Sequence, residues 1–275
     1  MTALPDQQLS AETTRRVLNY LDVETAQPAL GYLETLIARY VRCVPWESAS
    51  RIVRRQNTDE IENCPRWPEI FWQSAIQDGT GGTCFESNLA FIALLRTLGF
   101  EGYLTINDMH EHTGVHTAIV ILIDGQKWLV DAGFPVYAPL PLNPEQITTR
   151  ETRLLNYTIT PHGENHYDIE RAPHPSAYSF TLIDQPISHA DYCAATTRDY
   201  GENGLFLDKV IAAKVVNDQM WRFNSAEPPY HLQHFWDGQR VNTVIKGDAA
   251  DAVFALFNID AKIVRAALSA LEAQP

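Results

Sequence analysis

The dipeptide Asp124-Gly125 stands between two apolar runs, Thr117-Ala-Ile-Val-Ile-Leu-Ile123 and Gln126-Lys-Trp-Leu-Val-Asp131, and it restricts the fold more tightly than any other stretch. A two-residue hairpin turn needs positive φ at its centre, which Asp-Gly tolerates. Once the turn forms, the runs pair antiparallel and their far ends meet. His116 begins the first strand and Asp131 ends the second, so the hairpin predicts that these side chains lie side by side. An imidazole oriented by a carboxylate is the base half of a nucleophilic site.

The nucleophile that suits this pair is Cys84, in Gly81-Gly82-Thr83-Cys84-Phe85-Glu86-Ser87-Asn88. A flexible glycine turn delivers it to the start of an apolar-periodic helix running from about Phe85 to Leu98. Unpaired N–H groups and the positive end of the macrodipole favour thiolate over thiol there, and the thiolate is the reactive form. Taken singly, a cysteine is usually an inert packing residue, a strand-initial histidine an edge residue, and a post-strand aspartate a turn former. Docking the helix start on the hairpin end would join all three as a Cys84–His116–Asp131 triad. His110 and His112 are rivals for the base, but they sit in the preceding loop.

The rest of the composition narrows the class. In 275 residues, 45% hydrophobic and 20% charged, there is room for a substantial core. The balance of 21 basic to 34 acidic residues, net −13, disfavours nucleic acid or an anionic membrane as partner. No apolar stretch reaches about 18 residues, as a membrane-crossing helix would need. The start, Met1-Thr-Ala-Leu-Pro-Asp-Gln-Gln, shows no signal-peptide pattern. Cys43, Cys64, Cys84 and Cys193 have no CxxC spacing, so neither a metal site nor a disulfide scaffold is expected, and a reducing cytoplasm is.

Periodicity divides the chain into three parts. Residues 1–98 read as helical, with a Ser10-capped helix, a second over about 28–42, an irregular excursion over 51–68, a short helix over 69–77 and the Cys84 helix. Residues 99–190 read as an antiparallel sheet or small barrel, with strands over 102–106, 117–123, 126–131, 155–160, 166–171 and 179–183. Residues 191–275 mix helix, hairpin and strands over 210–216 and 219–224 with an amphipathic helix over 249–273. The class is α+β.

These motifs together resemble the arylamine N-acetyltransferases. The resemblance rests on Gly81-Gly-Thr-Cys84-Phe-Glu-Ser-Asn88, the His116 strand and Trp128-Leu-Val-Asp131-Ala-Gly-Phe134, with Val44-Pro45-Trp46-Glu47 upstream and Pro139-Leu-Pro-Leu142 and Tyr178-Ser-Phe-Thr-Leu182 downstream. It implies a helical domain, a β-barrel and an α/β lid. It also implies acyl transfer in two steps, from acetyl-CoA to Cys84 and then to an arylamine, hydrazine or other amine. The Cys84 N–H and a neighbouring amide would form the oxyanion hole. Phe134 would wall the acceptor pocket, Phe85 would join that pocket or the core, and Thr113-Gly114 would approach the acyl donor or form a simple loop.

Three departures mark the chain as divergent. Thr80 stands where the family has arginine, and Ser48 where it has asparagine. The family arginine is tied to the glutamate corresponding to Glu47, leaving Arg51, Arg54 or Arg55 as replacement partners. Pro135 replaces a glycine whose N–H could face the donor, which weakens the case for acetyl-CoA. A larger acyl thioester passed to an amine, or a thiol hydrolase using water, are the alternatives.

Overall fold

Ser10 lies in extended backbone and its hydroxyl accepts the Thr13 N–H, which starts helix α1 (Ala11–Leu21) with Val17, Leu18 and Leu21 buried. The computed structural model describes residues 6–202 and 204–273, so the Met1–Pro5 start read for a leader lies outside it. Helix α2 (Leu30–Cys43) packs its stripe of Leu33, Leu36, Ile37 and Tyr40 into the same core. The two-residue strand β1 (Trp46–Glu47) follows.

The segment expected to be irregular from residue 51 instead continues a helix, α3 (Ala49–Gln56), before a 3-10 turn over Ile61–Asn63. Apolar spacing did not reveal α3, because its buried face mixes Ala49 and Ile52 with polar Ser50 and Arg51. Glu47 accepts the Ser50 N–H at 2.9 Å, and Arg51 is fully buried on Asp199. Helix α4 (Pro68–Asp78) opens on Pro68, where a missing N–H is harmless, and ends at left-handed Gly79. Helix α5 (Cys84–Thr97) is buried on all sides from Cys84 to Leu95 and forms the axis of this half.

Eight antiparallel strands come next: β2 (Glu101–Met109), β3 (His112–Ile123), β4 (Gln126–Val130), β5 (Leu140–Leu142), β6 (Thr148–Glu151), β7 (Asn156–Pro161), β8 (His166–Ala172) and β9 (Tyr178–Ile183). Their order is β5-β4-β3-β2-β9-β8-β7-β6. Thr148 Oγ1 donates to the Pro141 carbonyl at 2.6 Å between the outer strands, so the sheet is a nearly closed barrel. Val120, Leu129, Ile159, Ile169, Phe180 and Leu182 fill it.

Helix α6 (His189–Arg198) leads to a second sheet, β10 (Ile211–Val216), β11 (Gln219–Asn224), β12 (His231–Trp236) and β13 (Gln239–Val244). Strand β1 completes it, pairing Trp46 with Ala213 and Glu47 with Ala212. The final amphipathic stretch is two helices rather than one, α7 (Ala249–Phe257) and α8 (Ala261–Glu272). Asn258 in left-handed backbone ends the first, and Asp260 caps the second. Among the described residues no helix is long and apolar enough to cross a membrane.

Candidate active site

The glycine turn before α5 is held by close backbone approach. A Cβ on Gly81 would lie 1.6 Å from the Pro45 carbonyl oxygen, so only glycine fits against β1. Thr83 caps α5 without a side-chain hydrogen bond, leaving the first N–H groups of the helix without a side-chain acceptor. Cys84 sits at that start, 6% exposed.

The β3–β4 ladder runs from Ile123↔Gln126 to Ile119↔Val130. Asp131 emerges just past its last pair, and His116 pairs across β2 with Asn107. The two side chains therefore meet on the diagonal rather than directly opposite, with Nε2 of His116 2.7 Å from Asp131 Oδ2. His116 lies inside the strand, which begins earlier, at His112.

Burial opposes protonation of His116. The Asp131 carboxylate and its hydrogen bond, with a smaller contribution from nearby Cys84, outweigh that and push the pKa up to about 10. With Nε2 on Asp131, Nδ1 is the nitrogen left for the thiol. Burial pushes the thiols of Cys43, Cys64 and Cys193 up, the last to about 11, and none of the three lines the cleft.

Asp131 is saturated with donors. Its Oδ1 accepts from Asn88 Nδ2 at 3.0 Å and from the N–H groups of Gly133 and Phe134 at 2.7 and 2.9 Å. Asn88, one helical turn after Cys84, also accepts the Ala132 N–H and donates to the Thr117 carbonyl. Thr117 Oγ1 donates to the Cys84 carbonyl at 3.0 Å, and the Tyr192 hydroxyl donates to that of Phe85 at 2.9 Å. Asn88, Thr117 and Tyr192 thus lock helix, strand and turn together. Asn88 was legible as the same-face neighbour of Cys84, but the other two carry no local signal. Gly133 completes the fit, since a Cβ there would lie 2.3 Å from Cys84 Cα.

Glu47 finds a different partner from those expected. Arg51 goes to Asp199 and the Leu205 carbonyl, Arg54 to the Cys64 and Asn63 carbonyls, and Arg55 to the Thr58 carbonyl. The cation that reaches Glu47, at 4.0 Å, is Arg66, fully in the interior. Arg66 also bonds Glu86 at 2.6 Å, the Gly81 carbonyl at 2.6 Å and Thr80 Oγ1 at 3.3 Å. It approaches from outside the motif and binds the turn that a residue-80 arginine would hold. Glu47 itself accepts mainly from Ser50 and from the Gly81 N–H. Burial opposes ionisation of Glu86, and Arg66 overcomes it to hold the carboxyl below its usual range.

Cys84 and His116 open onto a cleft of about 320 Å³ between the barrel and the second sheet. Phe134 and Pro135 line it, with the Phe134 ring 6.0 Å from the imidazole. Phe85 does not. It is buried against Tyr192, so of the two roles left open it takes the core one. Thr113 and Gly114 are exposed and absent from the cleft lining, and the Gly114 N–H is taken by Asp108. His110 packs against Tyr178 with the rings tilted, while exposed His112 faces Glu111. Among the described residues no group of three or more His, Cys, Asp or Glu could hold a metal ion.

A family model described as N-acetyltransferase matches residues 29–262. The chain belongs to the arylamine N-acetyltransferase family. It is 25% identical over 132 residues to arylamine N-acetyltransferase 1 of Bos taurus, covering 42% of this chain and 43% of that protein, so the match spans less than half the relative's length. The arylamine N-acetyltransferase of Mycobacterium abscessus superposes with TM-score 0.78 at 18% identity, over 97% of this chain and 96% of that one. That of Mycobacterium marinum, in complex with CoA, does so with TM-score 0.76 at 17% identity, over 92% and 96%. Likeness at these identities extends the family assignment to the fold.

Proposed function

We propose that this chain is an acyltransferase that moves an acetyl or other short acyl group from a thioester, foremost acetyl-CoA, through an acyl-Cys84 to an arylamine, hydrazine or other amine. The observation that carries the reading is the buried His116–Asp131 pair set beside a cysteine at a helix start, inside a cleft.

Cys84 is the nucleophile, His116 the proton carrier and Asp131 its orienter. His116 takes the thiol proton, which its raised affinity favours. Thiolate attack on the thioester carbonyl breaks the donor C–S bond, and the imidazolium returns a proton to the departing thiolate. An amine then attacks the acyl-cysteine, loses a proton to His116, and regenerates the thiol. Open N–H groups at the start of α5 face the developing oxyanion. Phe134 walls the acceptor side, and the second sheet acts as the lid.

Acetyl-CoA suits the cleft in one respect, since Arg171, Lys214 and Arg222 line it with no carboxylate among its residues. Pro135 offers the donor no N–H. The free thiols fit a reducing cytoplasm.

Intact mass spectrometry after mixing with acetyl-CoA, without amine, tests the reading. An acetyl adduct on wild type that disappears in Cys84→Ala supports it, and an adduct that persists in Cys84→Ala sinks it. Adding an arylamine should discharge the adduct into an amide rather than acetate.

A further inference from the structure

We infer that Thr117 is a positioning residue for acyl transfer, whose hydroxyl holds the start of α5 so that Cys84 faces the His116 imidazole rather than the Val115 carbonyl. The reaction is the one proposed above, while the placement rests on hydrogen bonds alone.

Adjacent residues of a strand point to opposite faces. On β3, His116 turns toward Phe134 and Phe180, and Thr117 turns toward α5, where it is fully buried. The Thr117 hydroxyl donates to the Cys84 carbonyl at 3.0 Å. That bond starts on the residue next to the base and ends two covalent bonds from the Cα that carries the thiol. Asn88 Nδ2 lies 3.1 Å from the same hydroxyl oxygen and can only donate to it, which directs the Thr117 proton onto Cys84. One buried oxygen thus ties the helix of the nucleophile to the strand of the base. Asn88 joins the same parts through the Thr117 carbonyl and Asp131, but from one turn further along α5, so the Cys84 end could still pivot.

The neighbours show what the Thr117 bond decides. The Cys84 sulfur lies 3.8 Å from the Val115 carbonyl, a long contact that competes for the thiol proton. A thiol donating to a carbonyl is stabilised as the thiol, whereas beside an imidazole it can give its proton up. Val115 and His116 are consecutive on β3, so a slide of the α5 start along the strand exchanges one acceptor for the other. Misplacement by about 1 Å is enough to slow a reaction on the order of 10²-fold.

Thr117→Val keeps the shape and removes the donor. Both half-reactions use the same Cys84–His116 pair, so kcat/KM for acetyl-CoA and for phenylhydrazine should fall together, on the order of 10–100-fold. Thr117→Ser, which keeps the hydroxyl, should recover most of the rate. Thr117→Ala removes the hydroxyl without adding a methyl against the Cys84 carbonyl, and it carries the same comparison if the valine disturbs folding.

A second measurement needs no acyl donor. Alkylation of Cys84 by iodoacetamide, followed across pH by peptide mass, should shift to higher pH in Thr117→Val and return in Thr117→Ser. The titratable groups that bear on Cys84 and His116 are Asp131 and the phenol of Tyr192, and every variant retains both. A hydroxyl that only braces the fold would lower the urea midpoint and leave the alkylation profile unchanged, and that result overturns the assignment. So does a rate loss confined to one half-reaction, or a serine variant as slow as the valine. A protein that never acetylates Cys84 yet shows the shifted alkylation profile loses the acyl-transfer reading and keeps the placement by Thr117.

Discussion

Arg66 beneath the glycine turn and Arg171 on the cleft wall are the same side chain in opposite circumstances. Arg66 is wrapped by Glu86, Glu47, the Gly81 carbonyl and Thr80, and these carboxylates more than repay its burial, raising its pKa. Arg171 faces an aromatic ring and a distant carbonyl, and burial lowers its pKa. A charge that serves as scaffold brings its counter-charge within the chain. Arg171, on the cleft wall, has no carboxylate partner among the described residues.

The sharpest way to break the contrast is at a third buried cation, His116, whose partner Asp131 is proposed to orient it for catalysis. Asp131→Asn should reduce acyl transfer on the order of 10⁴-fold, the loss typical when a triad carboxylate is neutralised. It should also lower the His116 pKa relative to that of the unaltered pair, both read by NMR titration in a Cys84→Ala background. The folded-state value is raised, so the stability from this pair is fully present below 6.5 and fades as pH rises through about 10. Urea midpoints across that window should decline in wild type more than in Asp131→Asn.

Arg66→Met comes next. It strands Glu86 and Glu47 in the interior, and breaking such a pair destabilises by about 3–5 kcal/mol, visible in the denaturant midpoint. Gly133→Ala should cost about 1–3 kcal/mol by forcing the Asp131 turn off α5. Its rate loss, on the order of 10²-fold from misplacement alone, should exceed what its stability suggests. Arg171→Met should move the unfolding midpoint least, by under about 1 kcal/mol, because only a cation–π contact and a long hydrogen bond to the Ser176 carbonyl are lost. A large loss of stability there would erase the contrast with Arg66.

The parts legible in the sequence were those encoded locally. Asp124-Gly125 takes positive φ at both residues, 51° and 77°, as the hairpin demands, and so brings His116 to Asp131. Asp237-Gly238 does the same between β12 and β13, at 47° and 70°. That hairpin lacked a clear strand pattern because β13 is exposed at every position and never alternates. Helix α3 escaped notice for a related reason, since its buried face mixes Ala49 and Ile52 with Ser50 and Arg51 instead of forming an apolar stripe. The partner of Glu47 was hidden more deeply. Arg66 lies in an irregular segment 20 residues before Glu86, and no spacing rule joins a loop arginine to a helix glutamate. Arg171 read as one residue of an alternating strand, and only the folded cleft shows that no carboxylate among the described residues pairs with it.

Strand β1 carries a consequence for the growing chain. Its two residues bridge the glycine turn through Trp46 and Gly82, yet their sheet partners are Ala212 and Ala213. Contacts so far apart in sequence must await synthesis of the later strand. Strand β10 is made long after Cys84, so the turn that carries Cys84 gains its brace from the second sheet only late in synthesis.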